Sequence, residues 1–414
     1  MVKRSLSLLA TLVTAGALAS HASCIALLCY EDEPCAGEVG GGDAASTTGT
    51  GVTSTDATSV TTGAGGTGGA GGESCNADTT TDPLNCGACG VDCGGGSCTA
   101  GLCTEAVLDL FPDATTSLGS VHVLADGATV LVPASASCGG DDPCIYAVPT
   151  TFDGDMAPIG IAETPNLVGM WGRGPLKSYF TPQSRPTILS CDASDCVQLP
   201  SGSSGSYNGS AAVLDKLFVL QASTSNLLAF DLTPQGVVTG AATLFYTLEN
   251  YGSDGPHRMF REGASDFLIF TSYGPGGCFY RENANVVPDL VAECDASLPA
   301  PQGPVDLAVN AAGEAFVLSS AGGSAYAFDG SGLVEVSGVA VVPPIAADDR
   351  FVYARSADSA NDGLVILDKS TGVQLTKLLG EPISSIDASH PDYVFFTPLS
   401  GDPNRLFRWR KPPP

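Results

Sequence analysis

The sequence predicts an all-β protein in which a seven-bladed β-propeller, residues 104–414, follows a disordered tether and a small disulfide-rich module. Three observations predict this fold class. Pairs of short strands recur at regular intervals from residue 104 to the end of the chain. The last of these repeats lacks a strand that the beginning of the region can supply. A cysteine cluster and a segment without aromatic residues separate the repeats from an apolar N-terminus.

Residues 1–23 have the layout of a secretory signal peptide. Lys3 and Arg4 precede an uncharged and mostly apolar run of fourteen residues, which is shorter than the roughly 18 residues that a membrane-spanning helix needs. We therefore predict an exported chain, located at the outer surface of the cell or in the periplasm. A retained membrane anchor that extends to Leu28 is the alternative.

The residues at the end of this run resemble the signal of bacterial lipoproteins. The small residues Ala22 and Ser23 stand directly before Cys24, and in that family the thiol of such a cysteine is acylated. His21 stands where the lipoprotein signal has a Leu-like residue. The resemblance implies lipidation of Cys24 and membrane contact through the lipid anchor only. Ordinary cleavage after Ala19 or Ala22 is the alternative.

The cysteine count bears on the same question, because exported chains oxidise their thiols and an unpaired cysteine needs an explanation. The chain has 15 cysteines, so lipidation of Cys24 would leave an even number. The others fall by proximity into groups that can form disulfides, and this parity favours lipidation. The groups are Cys29 with Cys35, the six cysteines Cys75, Cys86, Cys89, Cys93, Cys98 and Cys103, then Cys138 with Cys144, Cys191 with Cys196, and Cys278 with Cys294.

The charge balance disfavours one class of partner. The chain has 44 acidic and 17 basic residues, which gives a formal net charge of -27. Such a chain is repelled by nucleic-acid phosphates and by anionic lipid surfaces. We therefore expect no nucleic-acid partner and a monomeric protein whose acidity supports solubility outside the cytoplasm.

Residues 24–74 form the predicted tether. From Gly37 to Ser74 the chain consists mainly of Gly, Ser, Thr and Ala, and it has no aromatic residue. Such a segment cannot bury enough apolar surface to offset the entropy of ordering it. We predict a flexible coil that lets the following domains stand clear of a surface.

Residues 75–103 form the predicted disulfide module. In a cytosolic protein Cys86 and Cys89 would suggest zinc binding or thioredoxin-like chemistry, but the export signal, the absence of histidine and the lack of a βαβ pattern favour disulfides. A segment with so few apolar residues also needs cross-links to be stable. The sequence CGACGVDCGGGSCTAGLC resembles the repeat of the stigma-specific cysteine-rich family, and the resemblance implies an extracellular module.

Seven strand pairs define the propeller repeats, and their starts lie roughly 40 to 50 residues apart, the length of a four-stranded blade. Third strands that end in an acidic residue follow several pairs. The segment LVILDKSTGVQL is similar to the repeat of quinoprotein-type propellers, which implies the fold but, without that family's tryptophans, no quinone cofactor. The seven pairs are VHVLADGATVLVP, LVGMWGRGPLKSYFTP, SAAVLDKLFVLQA, HRMFREGASDFLIFTS, VDLAVNAAGEAFVLSS, IAADDRFVYARS and SIDASHPDYVFFTP.

The two ends of the repeat region predict how the ring closes. The last repeat has three strands and ends with RLFRWRK, whereas EAVLDLF, which starts at Glu105, belongs to no repeat. Pairing these two strands would remove the open sheet edges that favour aggregation. We expect Val107, together with Leu110 or Phe111, to face the packing between blades.

Polar residues recur at one position of the first strands. The first strands line the central channel of a propeller, where polar groups can meet a ligand. The alternative is that these groups bond to channel water or to neighbouring blades. The candidates for ligand binding or catalysis are His122, His257, Asp306 and Asp387, and Trp171 and Arg258 are further candidates for ligand binding.

Sequence motifs for well-known chemistries are absent from the chain. It contains no GxSxG elbow, HExxH helix, P-loop or GxGxxG fingerprint. The aspartate-rich turns at Gly139 and Ser356 could hold calcium, but the second has Ala360 and Lys369 where an EF-hand needs ligands. We therefore predict no cofactor, with calcium at these turns as the alternative.

Two function classes agree with these observations. The first is a surface-tethered binding protein that engages an extracellular protein or glycan without catalysis. The second is an exported hydrolase or lyase with a site at the channel mouth, in which His122 or His257 is the general base and Asp306 or Asp387 is its partner or a metal ligand. Histidine and carboxylate groups within hydrogen-bond reach of one another would favour the enzyme.

Overall fold

The chain folds as a seven-bladed β-propeller, as the sequence predicts. Each blade is an antiparallel sheet of four strands, and in the described residues one blade carries a fifth strand in parallel register. The structure is a computed structural model, and the residues that it describes belong to one unit, 71–414. They are 78–86, 96–99, 102–111, 116–152, 158–167, 169–182, 185–199, 207–221, 226–248, 258–272, 277–285, 291–292, 295–298, 303–319, 323–337, 339–358, 363–370, 374–378, 382–399 and 404–411.

Several predicted features lie outside the described residues. They are the signal peptide, the tether, the lipidation site Cys24, the cysteines Cys29, Cys35, Cys75, Cys89, Cys93 and Cys294, and the channel candidate His257. In the part of the chain that is described, no helix has the length and apolar character needed to cross a membrane.

The strand bounds follow the chain. Before the ring, β1 (Cys98–Thr99) and β2 (Leu102–Cys103) form a hairpin, and β3 (Ala106–Asp109) belongs to the last blade. Blades 1 to 3 contain β4 (His122–Val123), β5 (Thr129–Ala134), β6 (Cys144–Pro149) and β7 (Ile159–Glu163); β8 (Gly169–Arg173), β9 (Ser178–Pro182), β10 (Ile188–Cys191) and β11 (Cys196–Leu199); and β12 (Tyr207–Val213), β13 (Lys216–Gln221), β14 (Asn226–Leu232) and β15 (Val238–Leu248).

Blades 4 to 7 complete the ring. Blade 4 contains β16 (Met259–Arg261), β17 (Phe267–Thr271), β18 (Cys278–Asn283) and β20 (Ala296–Ser297), and the intervening β19 (Val291–Ala292) pairs with β15 of blade 3. The others contain β21 (Pro304–Val309), β22 (Ala315–Ser319), β23 (Ala325–Phe328) and β24 (Leu333–Ser337); β25 (Val341–Ala347), β26 (Phe351–Ser356), β27 (Gly363–Asp368) and β28 (Gln374–Leu378); and β29 (Ile383–Asp387), β30 (Tyr393–Pro398) and β31 (Arg405–Arg410), with β3 outermost.

The middle strands of the blades have continuous apolar sequences. In blade 3, β13 reads KLFVLQ, and five of its six side chains are buried. Successive side chains of a strand point to opposite faces of the sheet, so a strand can bury every residue only where both faces are covered. The outer strand β15 of the same blade has many exposed side chains, because the neighbouring blades no longer cover it there.

Apolar side chains fill the interfaces between neighbouring blades. Between blades 3 and 4, Phe218 and Tyr280 belong to one cluster, and between blades 6 and 7, Tyr353 and Trp409 belong to another. Among the described residues, each of the seven interfaces has such a cluster. The ring therefore has a series of separate cores, which suits a chain too long for one compact core.

The ring closes where β3 pairs with β31. The pairing is antiparallel and places Leu108 opposite Leu406. Beyond the end of β3, the Leu110 N–H donates to the Asn404 carbonyl at 3.0 Å, and the Asn404 amide donates to the Phe111 carbonyl. The last blade therefore takes its outer strand from the N-terminal side of the ring, as the sequence predicts.

The prediction that Val107 faces the packing between blades is wrong. Val107 is 39% exposed, whereas Leu108 is 0% and Leu110 is 3% exposed. Leu108 and Leu110 pack with Leu406 and with residues of blade 1. Because side chains alternate between the faces of a strand, burial of Leu108 turns Val107 to the opposite face, which is left partly uncovered at this outer edge. The expected burial of Leu110 is correct.

Disulfides cross-link the cysteine module and turns within the blades. In blade 1 a disulfide closes the turn between the second and third strands, and in blade 2 another closes the turn between the third and fourth strands, at the positions that the sequence suggests. Closing such short loops stabilises each hairpin by roughly 2 kcal/mol in the chain-entropy model. The observed bonds are Cys86–Cys98, Cys138–Cys144, Cys191–Cys196 and a further one made by Cys278.

The orientation of β3 can be tested with two neighbouring substitutions. Leu108→Ala should lower the free energy of unfolding by about 2 to 5 kcal/mol, because it removes a fully buried side chain and leaves a cavity. Val107→Ala is the matched control, and it should change that free energy by less than about 1 kcal/mol because the side chain is exposed. Urea unfolding measures both. Equal losses would contradict the observed orientation.

Candidate functional site

A cavity of about 790 Å³ lies at the centre of the ring, where the first strands of the blades end. Each blade contributes to its wall through the first strand or the turn that follows it, and blade 3 contributes Ala212. We call this space the axial cavity. Its ionisable lining residues are His122, Arg173, Arg258, Arg261, Asp348, Asp349, Arg350, Asp387, His390 and Lys411.

The order of strands within the sheets explains why these residues meet. In each blade the first strand lies at one edge of the sheet, and in a propeller that edge faces the axis. A polar residue at the end of a first strand therefore approaches its counterparts from the other blades, although the sequence separates them by several repeats.

Asp387, His122 and Arg173 form a polar cluster where the last blade meets the first two. His122 Nδ1 lies 3.4 Å from Asp387 Oδ2, and Arg173 Nη2 lies 3.7 Å from the same oxygen. That oxygen also accepts the Val123 N–H at 2.8 Å, and the other carboxylate oxygen accepts the Ser389 N–H at 2.8 Å. We call Asp387, His122 and Arg173 the seam cluster because they join blades 7, 1 and 2.

The protonation states of the seam cluster follow from its surroundings. Burial lowers the pKa of His122 below its ordinary value, although Asp387 opposes the shift. Burial acts to raise the pKa of Asp387. The hydrogen bond from His122 and the charge of Arg173 outweigh this effect and hold the pKa of that carboxyl well below its usual range. At neutral pH the aspartate is ionised and the histidine is neutral. Because an ionised carboxylate only accepts, the hydrogen of the imidazole is assigned to Nδ1, and Nε2 is an acceptor.

The second ring nitrogen of His122 is also engaged. Nε2 accepts the Ser178 hydroxyl at 2.7 Å, and the imidazole stacks on Trp171 with ring centroids 5.0 Å apart. The order Asp387, His122, Ser178 is that of a nucleophilic triad. However, Ser178 is only 1% exposed and does not belong to the cavity wall, so this arrangement connects blades and does not present a nucleophile to the cavity.

A second buried pair connects blades 4, 5 and 6. Arg258 Nε lies 3.1 Å from Asp306 Oδ1, and Arg258 Nη1 donates to the Ile345 carbonyl at 2.8 Å. Asp306 Oδ2 accepts the Ile345 N–H at 2.9 Å. Burial raises the pKa of Asp306, although the charge of Arg258 and these N–H groups oppose the shift. The guanidinium is held by the Asp306 carboxylate and the Ile345 carbonyl and forms a fixed part of the wall.

The end of the chain supplies a third pair. Lys411 Nζ lies 2.7 Å from Asp348 Oδ2 and donates to the Ala388 carbonyl at 2.7 Å. The Tyr353 hydroxyl donates to the same carboxylate oxygen at 2.7 Å. Burial acts to raise the pKa of Asp348, but the charge of Lys411 and the hydrogen bonds outweigh it, and the pKa is lowered. Both charges are therefore matched within blades 6 and 7.

The wall of the axial cavity has a different charge balance from the chain as a whole. Of its described lining residues, five are basic and three are acidic, whereas the chain has 17 basic and 44 acidic residues. Arg261 has no carboxylate partner among the described residues. Its Nε and Nη2 donate at 2.8 Å to the carbonyls of Ser265 and Ala264. The cavity is thus a local departure from a strongly acidic surface.

The structure places the predicted site residues in two separate clusters. His122, Trp171, Arg258 and Asp387 line the axial cavity, and Asp306 lies behind Arg258 as its ion-pair partner. His122 and Asp387 are therefore brought together, and Arg258 and Asp306 are brought together elsewhere in the ring.

Sequence reasoning missed residues at and just after the ends of the first strands. The motifs WGRG, FREG, AADDR and DASH each carry an ionisable residue at the end of a first strand or just beyond it, and comparison of those ends would have found them. Lys411 gives no such signal, because it comes from the end of the last blade and not from a repeated position. The missed residues are Arg173, Arg261, Asp348, Asp349, Arg350, His390 and Lys411.

Comparison with known proteins supports the fold alone. No protein-family model matches the sequence, and no curated protein is similar to it. The β-propeller domain of Cps50 (Swd1) from Myceliophteria thermophila has a TM-score of 0.50 at 10% identity and covers 72% of this chain and 98% of its own. A catalytically inactive virginiamycin B lyase from Staphylococcus aureus, solved with quinupristin, has a TM-score of 0.52 at 12% identity, and the match covers 75% of this chain and 99% of the lyase. YCF48 bound to D1 peptide has a TM-score of 0.52 at 11% identity, and the match covers 74% of this chain and 96% of YCF48.

The burial of His122 predicts a pH dependence of stability. The unfolded histidine titrates near 6.5, and the folded one has a lower pKa, so the unfolded state takes up the proton first as the pH falls. The stabilisation is present above that pH and is lost below it. When the pH falls from about 7.5 to about 5.5, the free energy of unfolding of wild type should decrease by up to about 1.4 kcal/mol more than that of His122→Gln.

Urea unfolding of both proteins at the two pH values measures this difference. The pKa of His390 is also lowered, chiefly by burial, but this residue is present in both proteins, so their difference reports His122. Identical pH dependence in wild type and His122→Gln would contradict the assignment of a neutral, buried imidazole.

Proposed function

We propose that this chain is an exported, lipid-anchored binding protein whose propeller engages an extracellular protein or glycan partner at the axial cavity. The observation that carries the proposal is the cavity itself, since all seven blades contribute to it. Its volume of about 790 Å³ is in the range of ligand sites, and its wall combines apolar surface with charged groups in fixed positions.

The structural neighbours are compatible with binding but do not choose a function. One of them is a lyase, and another was solved with a bound peptide. A shared fold does not imply a shared function. The proposal therefore depends on the cavity of this chain and not on the neighbours.

A hydrolase or lyase with His122 as general base is the second candidate. The distance of 3.4 Å between His122 Nδ1 and Asp387 Oδ2 favours it. A general base needs a ring nitrogen within hydrogen-bond reach of the substrate. Here Nδ1 faces Asp387 and Nε2 faces the buried Ser178, so a substrate would have to displace one of them. Binding without catalysis is the better-supported function.

The proposed location depends on the N-terminal sequence. An acylated Cys24 would hold the protein at a membrane surface, and the Gly/Ser/Thr-rich segment that follows it would give the propeller reach. A single acyl chain gives only marginal binding, so stable anchoring requires more than one. The large negative charge leaves the lipid as the source of membrane affinity.

Substitution of Cys24 tests the anchor. Cys24→Ser should release the chain from the membrane fraction or block its processing, because serine lacks the thiol that is acylated. Intact mass spectrometry of detergent-extracted wild type should show acyl chains on an N-terminal cysteine. Cys29→Ser is the matched control and should leave membrane association unchanged. A mature chain that begins at Ser20 or Ser23 would contradict lipidation.

Substitution at the cavity mouth tests the binding function. A thermal-shift screen of the full chain against glycans, peptidoglycan fragments and peptides should yield ligands that raise the melting temperature. A ligand whose free concentration is a hundred times its Kd stabilises the folded protein by about 2.7 kcal/mol. Ala311→Trp narrows the cavity at an exposed wall position and should abolish the shift.

Ala193→Trp is the matched control for this experiment, since Ala193 is exposed in a turn of blade 2 that does not line the cavity. It should retain every ligand that wild type binds. If Ala311→Trp retains them as well, the partner binds elsewhere on the propeller, and the assignment of the axial cavity is wrong.

A further inference from the structure

Arg173 is held at the cavity wall with part of its guanidinium unused. Its Nη2 donates to the Val123 carbonyl at 2.7 Å and to the Ser389 hydroxyl, and it lies 3.7 Å from Asp387 Oδ2. Its Nε and Nη1 form no hydrogen bond with any residue that the structure describes. The side chain is 40% exposed. One nitrogen therefore fixes the position of the guanidinium, and the others remain available to a ligand.

Arg261 presents a similar group from blade 4. Its Nε and Nη2 donate to carbonyls of its own turn, and in the described part of the chain its Nη1 has no partner. Arg173 and Arg261 end the first strands β8 and β16, and these strands approach each other to within 8 Å between Cα atoms. Two guanidinium groups with open donors thus belong to neighbouring parts of one wall.

The charges around these two arginines leave room for an anion. Four of the five wall cations have a carboxylate partner: Arg258 pairs with Asp306, Lys411 with Asp348, Arg350 with Asp368, and Arg173 lies 3.7 Å from Asp387. Asp387 already accepts hydrogen bonds from the Val123 and Ser389 N–H groups. Arg261 has no carboxylate in ion-pair distance among the described residues. A ligand carboxylate would supply the charge that Arg261 lacks and accept hydrogen bonds from the open Nη1 groups of both arginines.

The remaining wall favours a peptide over a sugar. Met170, Phe260 and Ile386 line the cavity between the charged groups. Sugars are held largely by stacking on open aromatic faces, whereas the Trp171 ring already contacts His122 at 5.0 Å and Phe180 at 4.7 Å. Apolar surface around a pair of arginines instead suits an acidic side chain flanked by apolar residues.

The overall charge of the protein does not prevent such binding. The net charge of -27 repels an acidic ligand at long range, but salt at physiological strength screens interactions between exposed charges over about 8 Å. Within the cavity the local groups decide the interaction, and the lining has five basic residues against three acidic ones.

We propose that the axial cavity binds an acidic peptide segment of a protein partner, with a carboxylate of the segment accepting hydrogen bonds from Arg173 and Arg261. This inference rests on the proposed binding function and names its ligand class. It requires no covalent step. The arginine donors provide the selectivity for a carboxylate over a carboxamide of the same shape.

A pair of peptides that differ only in charge tests this inference. The acetylated and amidated tripeptides Leu-Glu-Leu and Leu-Gln-Leu have the same shape, so isothermal titration calorimetry with the full chain compares carboxylate with carboxamide directly. The glutamate peptide should bind at least about tenfold more tightly, which corresponds to the strength of one or two charge-assisted hydrogen bonds. Quenching of Trp171 fluorescence places the bound peptide in the cavity.

Arginine variants connect the effect to the wall. Arg173→Gln and Arg261→Gln should each abolish most of the difference between the peptides, while Arg173→Lys should keep part of it because the charge remains. Arg185→Gln removes the same charge at an exposed position outside the cavity and should behave as wild type. A melting temperature within about 2 °C of wild type shows that a variant is folded. If Arg173→Gln is less stable than this, the Arg173→Lys variant takes its place in the comparison.

Several outcomes would overturn the inference. They are equal affinity for the two peptides, no measurable heat at millimolar peptide, and unchanged discrimination in Arg173→Gln. Glucuronate that binds more tightly than the glutamate peptide would replace the peptide by an acidic sugar as the ligand. If Ala311→Trp blocks a partner that Arg173→Gln still binds normally, the proposed binding function stands and the carboxylate inference fails.

Discussion

The pairing of β3 with β31 is the interaction on which the rest of the structure depends. It brings the N-terminal side of the ring onto the last blade, and so it places blade 7 against blade 1. Only then can Asp387 of blade 7 accept the Val123 N–H, and only then can His122 of blade 1 approach the carboxylate. Without closure, these polar groups would bond to water at an open edge, and the site that they form together would not exist. The central site is therefore a consequence of ring closure.

The buried charges around the axial cavity hold neighbouring blades together, which limits their availability for chemistry. Asp387, Asp306 and Asp348 each sit beside a cation and accept N–H or O–H groups from a neighbouring element. Removal of one partner from such a pair leaves an uncompensated buried charge. This accounts for three of the five basic residues in the wall, Arg173, Arg258 and Lys411, in a chain that has few basic residues. Carboxylates that tie blades together are brought to the axis, and cations beside them neutralise their charge.

The sequence predicted the fold well because the propeller is a repetition of local patterns. Each strand pair shows apolar runs and turn residues over a few positions, and the missing outer strand of the last repeat showed where the ring closes. The face of β3 could not be predicted in the same way, since Val107 and Leu108 are both apolar and only packing against blade 1 distinguishes them. For the site, equivalent positions in first strands suggested His122, His257, Asp306 and Asp387 as candidates, and of these His122 and Asp387 line the axial cavity. The sequence repeat does not show which side chains pair. His122 pairs with Asp387 because closure makes blades 1 and 7 neighbours, and Asp306 pairs with Arg258 because of the directions of their side chains. Arg173 and Arg261 were missed because charged residues at strand ends are usually solvated, and only the position of these strand ends at the ring axis makes the two arginines part of a wall.

The position of Arg173 connects ligand binding with the integrity of the ring. This residue belongs to blade 2, yet its Nη2 donates to Val123 of blade 1 and to Ser389 of blade 7. A ligand that engages its free nitrogens would restrict the motion of a group that already spans three blades. Because any ligand that binds only the folded protein stabilises it, and because this contact lies at the closure itself, such a ligand would oppose the separation of blade 7 from blade 1 more than the loss of blades elsewhere. If Arg173 binds a ligand as we propose, the closed ring would respond to that binding as one unit, although its apolar cores are separate.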